Sequence, residues 1–556
     1  MKSDLLEQRG SGKTSPKLFI RLLFARLFWT RANRGLPSLC LSACLILLPE
    51  SRGPGAQKEN DARTFFDSTN LVTFQVDLGD SALRQLEQNP RNYVEGRVSA
   101  GTLTYESVGI RLKGTGTFQP IQAHPSLTLK FNWKQPHQHF AGLTKLFLEN
   151  SGQDATRLCK FIANAAFADG GIPAPRITQA RVQLNGRNLG RYVVSEAINK
   201  EFLNNHFGNA EGQLYEAEFQ DITSTLKQSN GPPGDQSDLR ALCSAATLGD
   251  RAERKHALGN LLQIDEFLDF FAIEMILANW DGYVLQQNNY RLYHDPVSGR
   301  FSIIPHDLDN TLAESGMCLM PPRKGVLTTA LLDTPEDREQ FRQRVAALVP
   351  KVLNPDHILT RILSAVARLK QGATEAEAAT IDRQSALLQT RIEERLLHVR
   401  QELNGTRPAS PIFDSNGMAS LHGWFAKTDW NNSSVRSLAE NEKACLFIQA
   451  ANGYCFGSWR LPVWLPAGNY RIEGLARTRD VLGLPSRTGS GAGVRIVGNR
   501  RGSGIRDTSD WLPVHHNFVV QDGCEWVELI AELRAYHGSA WFDAESLKLK
   551  KLGVKP

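Results

Sequence analysis

The stretch IDEFLDFFAIEMILANWDGYVLQQNNYRLYHDPVSGRFSIIPHDLDN, residues 264–310, decides how the chain is read. Phe267, Leu268, Phe270, Phe271, Ile273, Ile276 and Leu277 predict a buried helix that runs into Asn279-Trp280-Asp281-Gly282. Asn288-Asn289 then lead into a predicted strand over 290–293, a turn over 295–299, a second strand over 301–304, and Pro305-His306-Asp307-Leu308-Asp309. The order is helix, aspartate-bearing loop, hairpin, aspartate. Phosphoryl transfer from a metal-bound nucleotide asks for such a set: one carboxylate to orient or deprotonate the acceptor, and an amide oxygen with a second carboxylate to hold metal against the phosphates. Plainer readings stand beside it. Asp281 could simply start a turn, Asp307 and Asp309 could close a strand or meet Ca²⁺, Trp280 and Tyr290 suit a core, and His306 reads as a satisfied neighbour.

Upstream, residues 70–148 alternate apolar and polar positions in short runs (71–76, 108–112, 127–131) broken by Gly, Pro and Asn, which predicts a β-rich beginning. A helix is expected from Asp154 through Phe167, stopped by Gly170-Gly171 and Pro173. Asn185-Gly186 between two β-type runs, 176–184 and 189–195, predicts a hairpin, with helices following from Asn199. Downstream, helical spacing recurs over 341–352, 358–369 and 378–403, and the run Arg391-Ile392-Glu393-Glu394-Arg395 reads as a solvated face. Asn404-Gly405, Pro408 and Pro411 mark a boundary at 405–411.

From 412 to 553 the composition changes, and seven of the ten tryptophans (424, 430, 459, 464, 511, 526, 541) fall there. Alternating runs over 470–475, 493–497 and 526–533 predict a two-sheet sandwich. Its tryptophans could stack on sugar rings or fill a core.

Residues 1–56 hold nine basic and three acidic side chains, which accounts for the whole net charge of +6 and leaves the remainder neutral. A neutral body without a basic stripe gives no electrostatic footprint for nucleic acid. The apolar stretch 36–48, followed by Pro49 and Gly53-Pro54-Gly55-Ala56, reads as a leader directing the chain to the periplasm, cell surface or exterior; it is too short for a membrane span. A cleaved signal is expected, with Leu41-Ser42-Ala43-Cys44 leaving a lipoprotein box as the alternative. Residues 57–69 read as a polar linker. Beyond the leader, six cysteines stand singly, with no C-x-x-C zinc pattern; Cys445 and Cys455 could bridge a hairpin or stay as buried thiols.

The fragments Asn279-Trp280-Asp281, Asn288-Asn289-Tyr290-Arg291-Leu292-Tyr293 and Pro305-His306-Asp307-Leu308-Asp309 resemble the CotH (spore coat protein H) kinases. So do Arg111-Leu112-Lys113-Gly114, Leu129-Lys130-Phe131, Gly171-Ile172-Pro173-Ala174-Pro175-Arg176, and Asn185-Gly186 with Leu189-Gly190, Glu196, Lys200 and Phe202-Leu203, all in matching order over about residues 70–400. The resemblance implies an α+β, atypical protein-kinase-like two-lobed domain over 70–404, its β-rich N-lobe near 70–198 and its helical C-lobe near 199–404. An all-β, jelly-roll-like sandwich follows, whose ending over 532–549 resembles the closing strands of carbohydrate-binding modules. Also implied are ATP, Mg²⁺ or Mn²⁺, a Ser/Thr acceptor on an envelope or extracellular protein, and a polysaccharide as a further partner of the C-terminal module.

By the same resemblance Asp281 is the catalytic acid that engages the acceptor hydroxyl. Asn288 or Asn289 is a metal or phosphate contact, and Asp307 takes the metal-binding role with Asp309 supporting it. Lys130 is the phosphate lysine, with Lys113 next in line; Gly114 and Gly116 let the backbone approach the nucleotide, and Glu196, near the lobe junction, contacts nucleotide or metal. Three departures stand out: residues 124–131 keep only the last lysine of the family's K-S-Y-R-I-K-F, the step from Asp281 to Asn288 is wider than in ordinary protein kinases, and G-x-G-x-x-G is missing from the first sheet. An inactive kinase-like scaffold and a surface-binding protein remain the alternatives.

Overall fold

The computed structural model describes residues 54–553 apart from Ser224, 429–432, 441, 442, 452, 454, 485–488, 500, 501 and 503. The leader up to Gly53 and Trp430 lie outside the described residues. The segment expected as a linker is instead helical: α1 (Pro54–Asp67) sets Ala62, Phe65 and Phe66 one turn apart, and these pack into the first hydrophobic core. Phe65 meets Phe140 edge-on at 4.8 Å.

That core fills a closed barrel. β1 (Val72–Asp77), α2 (Asp80–Gln88), β2 (Val94–Ala100), β3 (Leu103–Lys113), β4 (Ser126–Lys130), β5 (Lys145–Glu149), α3 (Cys159–Asp169), β6 (Ile177–Leu184) and β7 (Arg187–Glu196) follow in sequence. The strands close in the order β1-β2-β3-β4-β5-β7-β6, with β1 parallel to β6. Side chains alternate across the wall. Ile110, Leu112, Leu127, Leu129, Leu146 and Leu148 point into the core, so Arg111, Lys113, Lys130, Lys145 and Glu149 take the outer face.

The second lobe holds α4 (Lys200–Phe207), β8 (Gln213–Ala217), β9 (Lys227–Asn230), α5 (Ser237–Ala246), α6 (Arg251–Leu261), α7 (Ile264–Ile276), α8 (Tyr283–Gln286), β10 (Tyr290–Asp295) and β11 (Arg300–Pro305). It continues through α9 (Val326–Leu331), α10 (Pro335–Val352), α11 (Pro355–Lys370) and α12 (Glu375–Leu403). Capping boxes at Thr334/Asp337 and Thr374/Glu377 start α10 and α12. The predicted 290–304 hairpin is β10–β11, in a sheet ordered β11-β10-β8-β9.

α3 begins at Cys159 and not at Asp154, because Arg157 takes φ +59 and Asp154 folds the preceding turn instead. Its carboxylate accepts from Thr156 N at 2.9 Å and from Cys159 N at 2.9 Å. Although its sequence lies between barrel strands, α3 belongs to the helical core. Phe167 packs on Phe270 at 5.2 Å, and a Cβ on Gly170 would stand 2.4 Å from Ile273.

The sandwich comprises β12 (Met418–Ser420), β13 (Phe425–Thr428), β14 (Ser433–Glu440), β15 (Lys443–Ala450), β16 (Cys455–Trp464), β17 (Gly468–Gly483), β18 (Gly491–Ile496), β19 (Asp507–Val520), β20 (Trp526–Asp543) and β21 (Lys548–Leu552). One end of β20 pairs with β16 and β18, the other with β15 and β17. Trp459, Trp526 and Trp541 are buried, so these three fill structure as their size favours. Cys445 and Cys455 are both buried. Among the described residues no helix is long and apolar enough to cross a membrane.

The run 391–395 departs from the expected solvated face. Glu393 and Glu394 are exposed, but Arg391 is buried and Arg395 is 0% exposed. The Arg395 guanidinium donates to the carbonyls of Met275, Ile276, Ser315 and Met317, at 2.9 Å for Ile276 and Ser315. It therefore satisfies the open C-terminal carbonyls of α7, the helix that delivers Asp281. Arg395→Met removes these four buried hydrogen bonds and is expected to lower the unfolding free energy in a urea titration by about 4 kcal/mol. Arg383→Ala, on the exposed side of α12, is expected to cost less than about 0.5 kcal/mol in the same urea titration.

Candidate active site

Four charged side chains from both lobes meet at one edge of the barrel. Lys113 ends β3, Glu149 ends β5, Lys160 lies in the first turn of α3, and Asp307 follows β11. The Glu149 carboxylate accepts from Lys113 Nζ, from Lys160 Nζ at 2.8 Å and from Ser195 Oγ at 2.5 Å. Lys160 Nζ also donates to Asp307 Oδ1 at 2.5 Å. Burial alone would raise the Glu149 carboxyl, but Lys113 and Lys160 hold it far below the usual carboxylate range. Burial likewise opposes the charge on Lys160, and Asp307 and Glu149 outweigh it and push its ammonium up. For Asp307 the upward pull of burial is overcome by Lys160, with His306 and Lys113 assisting, so its carboxyl sits below the ordinary range. Asp309 goes the other way, raised by burial and by the charge of Asp307. Burial and Arg291 push the His306 imidazole down to about 3, which keeps it neutral.

Asp281 stands on a loop organised by a buried acid of α7. Glu274 accepts from Asn279 Nδ2 at 2.9 Å, Tyr283 N at 3.2 Å and Val284 N at 2.8 Å. Burial lifts its carboxyl to about 8 against the pull of these donors. Asp281 Oδ1 accepts from Asn288 Nδ2 at 3.2 Å, and Oδ2 accepts from Asn289 Nδ2 and Asn310 Nδ2, both at 3.3 Å. Burial raises its carboxyl to about 6, with the three amides opposing and Asp307 adding to the rise. The wide step from Asp281 to Asn288 is thus closed by the short helix α8. A cavity of about 640 Å³ opens beside Asp281, and Gly116, Gln153, Asp309 and Asn310 also line it.

The CotH kinase protein family model matches residues 110–403, more than half of the chain. The chain belongs to the CotH kinase protein family. It is 20% identical over 254 residues to inner spore coat protein H of Bacillus subtilis, covering 42% of this chain and 69% of that protein. It is 22% identical over 294 residues to invasin CotH3 of Rhizopus delemar, covering 47% of each. Among solved structures, the Helicobacter pylori proinflammatory kinase CtkA aligns at TM-score 0.28 and 12% identity, over 50% of this chain and 94% of that one. TmCBM61, a structure with β-1,4-galactotriose, aligns at TM-score 0.18 and 14% identity, over 26% of this chain and all of its own.

Of the residues the CotH resemblance singled out, Lys113, Asp281, Asn288, Asn289, Asp307 and Asp309 gather at this cleft, with Gly114 and Gly116 on the loop after β3. Gly114 takes φ +98, a conformation only glycine adopts freely, and lines a small recess with Lys113, Glu149, Lys160 and Asp307. Two expectations need correction. Lys130 is on the same outer face but four residues along β4 from Ser126, the partner of Lys113, or about 13 Å away at strand rise. There it shares the Tyr93 ring with Arg111, so it cannot be the lysine of the Glu149 bridge. Glu196 pairs across from core-facing Leu146, which turns its side chain off the cleft face. Arg176 holds it at 2.9 and 2.6 Å. Asn288 is used at both ends of its amide, since its Oδ1 accepts from Phe219 N at 3.0 Å.

Lys160, Glu149, Glu274 and Asn310 were not anticipated. Lys160 and Glu274 did leave a signal, each being a charged residue with apolar neighbours on both sides, Cys159 and Phe161 for the one and Ile273 and Met275 for the other. Arg111 and Lys145, on the strands either side of β4, add positive charge near Lys130. Gly282 is required where it stands: a Cβ there would lie 2.0 Å from Glu274 Oε1 and 2.4 Å from Asn279 Nδ2, both held in place. Gly282→Ala is expected to cost about 1–3 kcal/mol in denaturant unfolding through this overlap, and to move Asp281 enough to be seen as altered Asn288 and Asn289 side-chain amide resonances.

Proposed function

We propose that the chain is an extracytoplasmic atypical protein kinase that moves the terminal phosphate of ATP to a Ser or Thr hydroxyl of a surface or secreted protein. The observation that carries this reading is the linked set Lys113, Glu149, Lys160 and Asp307, standing across the same cleft as Asp281. Lys113 and Lys160 would neutralise phosphate oxygens, and the Gly114 backbone would come close to them. Asp281, with its carboxyl near 6, is largely ionised at neutral pH and would accept the proton of the acceptor hydroxyl. The leader read in the sequence supports the extracytoplasmic part.

Among the described residues no group of three or more His, Cys, Asp or Glu is arranged to hold a metal alone. The donors present nonetheless suit Mg²⁺ or Mn²⁺ held jointly with phosphates. Asp307 and Asp309 are oxygen ligands whose mutual repulsion a cation would relieve, and among the described residues no donor is paired with the amide oxygen of Asn289. Such a metal would offset the charge of the transferred phosphoryl group. One observation favours the alternative of an inactive scaffold: the Lys160 ammonium already sits on Asp307.

Incubation with labelled ATP and Mg²⁺ or Mn²⁺ separates the two. Transfer of label to the chain or an added protein is expected, abolished by chelator and reduced at least about 100-fold by Asp281→Asn and by Asp307→Asn. Metal-dependent ATP binding without any transfer would establish the scaffold.

A further inference from the structure

The turn between β19 and β20 of the sandwich is laced against the segment that follows the candidate active site. Arg323 N donates to Gln521 Oε1 at 2.8 Å, and the Arg323 guanidinium donates to the Asp522 carbonyl at 3.4 Å. A Cβ on Gly523 would stand 3.0 Å from Met320 Cγ. Within this seam are two half-buried cysteines, one from each side, and each thiol reaches the backbone of the other's segment. Cys318 Sγ donates to the Gly523 carbonyl at 3.5 Å, and Cys524 Sγ donates to the Met320 carbonyl at 3.0 Å. The two side chains are also hydrogen-bonded to each other, and both pack on the core of the second lobe.

The surroundings of the pair are fixed on both sides. Glu314, four residues before Cys318, accepts from Arg495 of β18 at 2.8 Å and from Gly498 N at 2.7 Å. Glu402 of α12 accepts from Cys318 Sγ at 3.4 Å, from Leu319 N at 3.0 Å, and meets His398 Nε2 at 3.2 Å. Oxidation of Cys318 removes only the first of these, so the Glu402 carboxylate keeps its other partners and no buried charge is stranded. The hydrogen bond with Cys524, burial and the charge of Glu402 hold the Cys318 thiol well above its ordinary range. Such a thiol is a poor leaving group, which makes a bridge through it slow to reopen. The seam also matters to the cleft, because the cavity beside Asp281 takes its far wall from the sandwich, with Phe456, Asn499 and Arg534 in the lining.

Resting on the extracytoplasmic part of the reading above, which supplies oxidising surroundings, we propose that Cys318 and Cys524 form a disulfide that staples the sandwich to the second lobe. The oxidant is a disulfide donor, reacting by thiol–disulfide exchange. The donor's S–S bond and both cysteine S–H bonds break, the Sγ–Sγ bond forms, and two electrons and two protons leave with the donor as two thiols. The bridge closes a loop of about 200 residues, and closing a long loop takes the most freedom from the unfolded chain.

The test incubates the folded full chain with oxidised glutathione, caps remaining thiols with N-ethylmaleimide, and maps an unreduced digest by mass spectrometry. A linked pair of peptides carrying Cys318 and Cys524 is expected. Dithiothreitol is expected to release it, to lower the melting temperature by about 4 °C or more, and to speed amide exchange over 314–323 and 521–524. Cys318→Ser and Cys524→Ser are each expected to melt like reduced wild type with or without the oxidant. Maleimide on both cysteines after oxidation overturns the proposal, as does a link from either one to a different cysteine, or Zn²⁺ held by the two thiols through the incubation. A bridge that forms in this mixture, while protein drawn from its own cells has both thiols capped, is a different failure: it removes the extracytoplasmic reading and leaves the pairing.

Discussion

Glu149 under two lysines is the interaction on which the rest of the site depends. A carboxylate taken out of water is tolerable only when paired, and removing a partner from such a pair typically costs about 3–5 kcal/mol. Here the pairing also has a geometric consequence. Lys113 comes from the barrel, Lys160 from a helix packed in the second lobe, and Asp307 from the loop after β11, so satisfying one buried charge fixes the spacing of both lobes. The barrel's alternation puts those charges on its outer face, and α3 belongs by packing to the lobe opposite its neighbours in sequence.

Most elements were legible because their signals are local. Periodicity and turn chemistry gave the 290–304 hairpin, the Asn185-Gly186 turn and the three long helices to within a few residues. Asp281, Asp307 and Asp309 were singled out because their order along the chain is the one phosphoryl transfer would need. What escaped is set by three-dimensional pairing. Lys130 and Lys113 look equivalent as strand-end lysines, and only the register of β3 on β4 shows that they occupy opposite ends of one face. Glu196 was judged by its place at a hairpin end, whereas its neighbour Leu146 decides which way it points. Arg395 reads as part of a solvated face because the carbonyls it satisfies lie 119 and 80 residues away along the chain. The 57–69 segment was taken as polar although Ala62, Phe65 and Phe66 share one helical face.

The sandwich and the second lobe share buried ion pairs and do not simply adjoin through the 405–411 connection. Arg495 lies between Glu314 of one and Glu532 of the other, and a Cβ on Gly316 would stand 2.1 Å from Glu528 Oε2. Contacts that close and that desolvated leave little freedom for the sandwich to swing, so the geometry of the cleft includes it.

The central claim is that the Glu149-linked lysines, and not Lys130, form the phosphate site. Calorimetric titration of ATP with Mg²⁺ into wild type, Lys160→Met and Lys130→Met tests it most directly. A loss of affinity of at least tenfold for Lys160→Met, with Lys130→Met within twofold of wild type, is the expected result. Unchanged binding by Lys160→Met together with loss in Lys130→Met would contradict it and move the nucleotide to the other end of the barrel face.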